Sequence, residues 1–251
     1  MSLPAEDPTT PAARPDDAHP APAAVLWDMD GTLVDTEPYW IDSEFALVGE
    51  HGGSWSMEQA HSLVGSDLRE SARRLRTEGG VDMMIDDIVR WLIDRVVVLV
   101  RERLPWRPGA EELLLAVRAA GVPCALVTMS WTVLAEEIAA ALPAGTFATL
   151  VTGDVVARPK PHPDPYLEAV RRLGVAAGQC VALEDSTTGV RSALAAGVPT
   201  VGIPYLVELE AAPGLVRVPS LEGRDLAWLA RVAARRAPDE LGEPGEPGAL
   251  G

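Results

Sequence analysis

From Pro108 onward the chain alternates between short apolar runs and segments of helical periodicity, and this alternation restricts the fold more than any other feature. The spacing predicts helices over 110–120, 132–142, 164–173 and 187–196. Strands are predicted between them over 123–128, 148–152, 179–183 and 200–203, and a last amphipathic helix over about 224–236. Strands that read as continuous apolar runs need cover on both faces, so the fold class is α/β with a doubly wound, Rossmann-like parallel sheet. One more apolar run, over 23–29, ends in acids and is read as the first strand. Between it and Pro105 only helical signals occur. Tyr39-Trp40 with Phe45-Ala46-Leu47 share one spacing, Ser56 caps a short segment, 67–75 is amphipathic, and 82–104 is the longest helix. The core is therefore expected over 23–36 and 105–237, with an all-helical cap inserted over 37–104.

The two ends differ from this middle. Residues 1–22 hold six prolines, five alanines and four acids without apolar periodicity, and 238–251 carries two Gly-Glu-Pro triplets. They are read as a disordered leader and a disordered acidic tail. The net charge of −16, from 21 basic and 37 acidic residues, argues against nucleic acid and anionic membrane as partners. No apolar stretch approaches the ~18 residues of a spanning helix, and no basic-then-apolar secretory signal opens the chain. Cys124 and Cys180 fall in predicted strands and read as core residues in a reducing compartment. A cytoplasmic monomer or weak homodimer is expected.

In open parallel sheets ligands bind beyond the carboxyl ends of the strands. Those ends here carry Asp28-Met29-Asp30-Gly31-Thr32, then Thr128-Met129-Ser130, then Arg158-Pro159-Lys160-Pro161, then Glu184-Asp185-Ser186. Twenty of the 21 basic residues are arginine, and the one lysine is Lys160. Paired acids at a strand end also serve as turn formers and helix caps. Four carboxylates on one edge, however, repel unless a divalent cation neutralises them, and hard oxygen donors favour Mg²⁺. A lysine and a hydroxyl beside such a cation suit a phosphate group. Asp28 and Asp30 lie two apart and Gly31 lets the chain turn sharply just after them, so one can attack phosphorus while the other moves protons.

The run Asp28-Met29-Asp30-Gly31-Thr32-Leu33-Val34-Asp35-Thr36 resembles the first motif of the haloacid dehalogenase-like phosphohydrolases. Thr128, Lys160 and Glu184-Asp185 fall at that family's second, third and fourth motifs, in order, and the helical insertion resembles the cap of its β-phosphoglucomutase and phosphoglycolate phosphatase-like subgroup. The resemblance implies a phosphatase that forms an aspartyl-phosphate on Asp28 while Asp30 serves as acid and base. It also implies Mg²⁺ held by the Asp28 carboxylate, the Asp30 carbonyl and Asp185, with Glu184 direct or through water. Thr128 and Lys160 would bind phosphoryl oxygens, Lys160 would also steady Asp28, and Ser186 and Gly189 would support the metal site.

Substrate choice is expected from the cap. Glu37, Arg69 and Ser130 are the candidate substrate contacts, and a small phosphate ester such as a sugar phosphate or phosphoglycolate is the expected partner. Trp40, Trp55 and Trp131 are expected near the cleft. In mutase relatives an arginine in the cap holds a second phosphate. The run Gly65-Ser66-Asp67-Leu68-Arg69-Glu70-Ser71 places Leu68 there and Arg69 one later, so a phosphatase is favoured over a phosphomutase. A non-catalytic phosphate-binding protein is the third reading.

Overall fold

The computed structural model describes residues 19–63, 66 and 68–235; the predicted tail, most of the predicted leader, Gly65 and Asp67 lie outside that range. Six strands form one parallel sheet: β1 (Ala24–Trp27), β2 (Cys124–Val127), β3 (Thr149–Val151), β4 (Cys180–Glu184), β5 (Thr200–Gly202) and β6 (Leu215–Arg217). Their order across the sheet is β3-β2-β1-β4-β5-β6, so the sequence reverses direction on either side of β1. Register pairs Val25 with Cys124 on one side and with Val181 on the other. The fold class is the α/β, doubly wound class expected from the alternation.

Before β2 come α1 (Glu37–Glu50), α2 (Met57–His61), α3 (Leu68–Thr77), α4 (Ile85–Glu102) and α5 (Ala110–Ala119). After it come α6 (Thr132–Ala140), α7 (Asp164–Leu173), α8 (Thr187–Ala195) and α9 (Leu226–Ala233). Alternate strand residues point to opposite faces of the sheet. Val25, Trp27, Leu126 and Leu183 therefore join one core with Leu113, Ile138 and Leu229 of the helices on that side. Ala24, Leu26, Ala125 and Ala182 join the other with Tyr166 and Ala169 of α7 and Ala193 of α8.

The helices α1–α4 pack on one another, and α4 also packs on α6. Ile88, Leu92 and Val96 of α4 are buried on one face, as its periodicity requires, together with Leu47 of α1 and Leu75 of α3. Ser56 closes a full capping box with Gln59 at the head of α2. The strand β6 was not anticipated, and β1 stops two residues before the predicted end because the chain turns away at the acids.

Candidate active site

Asp28 lies one residue past β1, where its amide still donates to Leu183 O at 3.0 Å. The chain then folds back, with the amides of Leu33 and Val34 both reaching Met29 O at 2.9 and 3.0 Å. Gly31 makes this possible at φ +87°, and a Cβ there would lie 2.1 Å from Asp185 Oδ2. Glycine therefore meets two demands at once, a left-handed turn and close approach to an acid. The turn sends Asp28 and Asp30 to different partners.

Asp28 meets Lys160, whose side chain is 4% exposed. Its Nζ donates to Asp28 Oδ1 at 2.6 Å, Glu184 Oε1 at 2.6 Å and Val127 O at 2.8 Å. An ammonium has three N–H donors, and three acceptors take them. Burial alone would favour the neutral amine, but Asp28 and Glu184 outweigh it and hold the pKa above the ordinary lysine value. The chain's sole lysine is thus an internal counter-ion, and any bond from it to a phosphoryl oxygen requires exchange of one of these three.

Asp30 faces the other way, and both its oxygens are held. Thr36 Oγ1 donates to Oδ1 and Ser130 Oγ donates to Oδ2. Thr36 sits at the N-cap of α1 yet makes no side-chain cap bond to it: its backbone is helical at φ −84° and ψ −9°, not the extended conformation a capping side chain needs, and its hydroxyl proton goes to Asp30. Burial raises the Asp30 carboxyl above its ordinary pKa, against the lowering effect of these two hydroxyls. Ser130 is therefore a partner of Asp30, whereas a substrate contact was expected of it. Its amide donates to Thr128 Oγ1 at 3.0 Å, which leaves the buried Thr128 hydroxyl its own proton to give.

Glu184, the last residue of β4, is fully buried and accepts from Tyr166 Oη at 2.6 Å as well as from Lys160. Its other oxygen takes the Ser186 hydroxyl at 3.3 Å. Behind the carboxylate stands Gly189, where a Cβ would lie 1.9 Å from Glu184 Oε2. Ser186 also caps α8 through the Gly189 amide at 3.1 Å. Asp185 follows, with Thr32 Oγ1 donating to its Oδ1 at 3.4 Å.

Oxygens of Asp28, Glu184 and Asp185 lie within 4.8 Å of one another. Burial first, then the neighbouring carboxylates, drive Asp185 and Glu184 toward their protonated forms, and Lys160 opposes this in both. One ammonium cannot neutralise three buried carboxylates. The donor set, all hard oxygen and still net negative, fits a divalent cation, and Gly31 leaves room for Asp185 to approach.

The expected substrate contacts are more dispersed. Glu37 opens α1 half-buried, its carboxyl pushed up to about 7 by burial and by the nearby Asp30 and Asp35. Arg69, on α3, pairs with Asp86 and lines a groove of about 340 Å³ together with Val89, Arg90, Ile93, Asp94 and Trp131. Trp131 thus faces helices of the insertion across this groove. Trp55, in contrast, is buried and donates its indole N–H to Glu44 at 3.1 Å. Both cysteines are buried, and burial raises their thiols, Cys124 to about 12 and Cys180 to about 11. Sequence reasoning missed the roles of Thr36, which closes the first motif run, and of Tyr166, which lies in the predicted helix after Lys160.

A sequence model described as haloacid dehalogenase-like hydrolase matches residues 25–203. Protein CbbY of Cupriavidus necator is 33% identical over 203 residues, covering 72% of this chain and 78% of that one. Phosphoglycolate phosphatase of Shigella boydii is 32% identical over 207 residues, covering 72% of this chain and 81% of that one. The crystal structure of CbbY from Rhodobacter sphaeroides in complex with phosphate superposes with a TM-score of 0.72 at 32% identity, covering 83% of this chain and 99% of that one.

Proposed function

The chain belongs to the haloacid dehalogenase-like hydrolases and is a phosphoric monoester hydrolase among them, and from that premise we propose a Mg²⁺-dependent phosphatase for small phosphate monoesters, acting through an aspartyl-phosphate on Asp28. The observation that carries this reading is the division of labour made by the Gly31 turn: Asp28 bonded to Lys160 beside Glu184 and Asp185, Asp30 held apart by two hydroxyls.

Lys160 donates to Asp28 Oδ1 and fixes that oxygen, leaving Oδ2 to attack phosphorus. As that O–P bond forms, the bond to the leaving alcohol breaks, and Asp30 delivers its proton to the departing oxygen. Asp30 then takes a proton from water while the water oxygen attacks the phosphoenzyme. The Asp28–phosphorus bond breaks, inorganic phosphate leaves, and both carboxyls return to their starting states. Burial, which favours the protonated carboxyl, suits Asp30 to carry this proton. Asp28, Asp185 and the Asp30 carbonyl would hold Mg²⁺, with Glu184 direct or through water; when bound, the ion supplies the positive charge that lets an anionic ester approach an anionic nucleophile. The helices α1–α4 act as a cap that excludes bulk water.

The charges of the groove favour hydrolysis over phosphomutase chemistry. Arg69 and Arg90 stand beside Asp86 and Asp94, so the groove offers no net positive anchor for a second phosphate. Phosphate release from a panel of sugar phosphates and phosphoglycolate, with Mg²⁺ and with a chelator, tests the reading. Release from at least one ester that stops on chelation is expected. Turnover undiminished by chelation, or none with any ester, would overturn it.

A further inference from the structure

Two strands of chain join the helical insertion to the sheet, and they are paired. Asp35 N donates to Pro105 O at 2.7 Å, Arg107 N donates to Leu33 O at 3.0 Å, and Val34 bridges Trp106. A third segment reaches them from the far side. Tyr205, in the loop after β5, donates its hydroxyl to Asp35 Oδ2 at 2.7 Å, and the Arg107 guanidinium lies 3.9 Å over its ring. One tyrosine therefore holds both connecting strands.

The residue after Asp35 is Thr36, whose hydroxyl holds Asp30. A continuous set of bonds thus runs from the β5 loop through Asp35 and Thr36 to the Asp30 carboxyl. Asp35 is costly to keep for packing alone, because its Oδ1 is buried without a partner among the described residues. Nor does Tyr205 fill the core; it is only half-buried. We propose that Tyr205 is a positioning residue, pinning Asp35 to the sheet so that Thr36 keeps Asp30 aimed at the leaving oxygen. The proposal rests on the reading of Asp30 as proton carrier given above.

A proton donor matters for a poor leaving group and little for a good one, and this separates positioning from mere support. The ratio of kcat/KM for an alkyl ester, glycerol phosphate, to that for nitrophenyl phosphate is the readout, with Mg²⁺ saturating and thermal melting as the folding control. Tyr205→Phe keeps the ring under Arg107 and removes only the hydroxyl. It should lower kcat/KM for glycerol phosphate about ten-fold more than for nitrophenyl phosphate. Asp35→Leu cuts the same link from the other side and should shift the ratio in the same direction. Asp30→Asn should show the bias at its fullest. Equal losses on both esters in Tyr205→Phe and Asp35→Leu, with Asp30→Asn still biased, overturn the role of Tyr205. An unbiased Asp30→Asn instead overturns the assignment of Asp30 itself.

Discussion

Charge is handled in opposite ways at the strand ends and in the helices above them. At the strand ends Lys160, Asp28 and Glu184 have side chains 4%, 10% and 0% exposed, and the one ammonium is paired with both carboxylates. In the insertion the charges form pairs facing water: Arg73 with Glu70, Arg90 with Asp87, Arg95 with Asp42. Breaking a buried pair strands an uncompensated charge and costs about 3–5 kcal/mol, whereas an exposed pair contributes about 0–1 kcal/mol. The strand ends therefore tolerate almost no change, while the insertion can vary. A strand-end layer that resists change beneath helices that accept it is the arrangement this difference permits.

The sharpest test of the contrast is at Asp28. Asp28→Asn keeps the shape and an acceptor for Lys160 but cannot attack phosphorus, so kcat should fall by more than about 10³-fold with melting little changed. Residual activity above a few per cent of wild type would remove Asp28 from the nucleophile role. Asp185→Ala comes next. Losing one of few carboxylate ligands should weaken the apparent affinity for Mg²⁺ at least about ten-fold, read from activity against Mg²⁺ concentration. An unchanged midpoint would put the metal elsewhere.

Gly189→Ala asks whether the strand-end layer is as intolerant as its geometry implies. The added Cβ would lie 1.9 Å from Glu184 Oε2, and the neighbour is a buried carboxylate already bonded to Lys160 and Tyr166. Overpacking of this kind costs about 1–3 kcal/mol, visible in chemical denaturation. Wild-type stability with wild-type turnover would mean that the carboxylate can move aside.

Glu44 breaks the pattern from the other side, as a buried acid within the insertion. Burial raises its carboxyl to about 7, with Glu37 adding to the shift while the Trp55 indole and Arg74 oppose it. Below the ordinary value of 4.5 both folded and unfolded chains hold the proton, and Glu44 makes stability no more dependent on pH. Above that value the unfolded chain releases its proton first, so stability falls as pH rises, and the loss is complete above about 7. Glu44→Gln keeps an acceptor for Trp55 and should remove that loss, on the order of 1–3 kcal/mol above neutrality. Melting curves of the two proteins should diverge with rising pH; parallel curves would place the Glu44 charge in solvent.

The two layers also differ in how much of them could be read in the sequence. Asp28, Thr128 and Glu184 each follow an apolar run, so strand periodicity carried them to one edge of the sheet, whereas Lys160 lies in the connection between β3 and α7 and was singled out as the chain's one lysine and by its motif. What bonds to what was not legible. That Thr36 turns from its own helix to Asp30, or that Tyr166 reaches Glu184, depends on how α1 and α7 pack rather than on local spacing. The strand β6 escaped because three residues, two half-buried and one exposed, carry no period, and only the edge of β5 makes them a strand. In the insertion the helices were legible from their apolar faces, but the partners of Arg69 were not, since exposed ion pairs leave no mark on hydrophobic periodicity.

Arg69 is where the smallest effect is expected. A phosphomutase must grip a bisphosphate from the insertion side, and an arginine doing so would tighten binding strongly, because charge-assisted bonds to phosphate are among the strongest available. Arg69 instead pairs with Asp86 at a site where both side chains are about half exposed or more, 49% and 64%. Asp94 further offsets Arg90 along the same groove. Recruiting Arg69 to a phosphate would break its pair with Asp86, and the groove supplies no surplus charge to compensate. Arg69→Ala should therefore change kcat/KM for a simple sugar monophosphate by less than about three-fold, within the range of an exposed pair. The unsubstituted protein, given β-glucose 1-phosphate with a trace of the bisphosphate and Mg²⁺, should release free phosphate and form no glucose 6-phosphate. Faster formation of glucose 6-phosphate, abolished by Arg69→Ala, would assign the anchor to Arg69 and turn the reading from hydrolysis to isomer exchange.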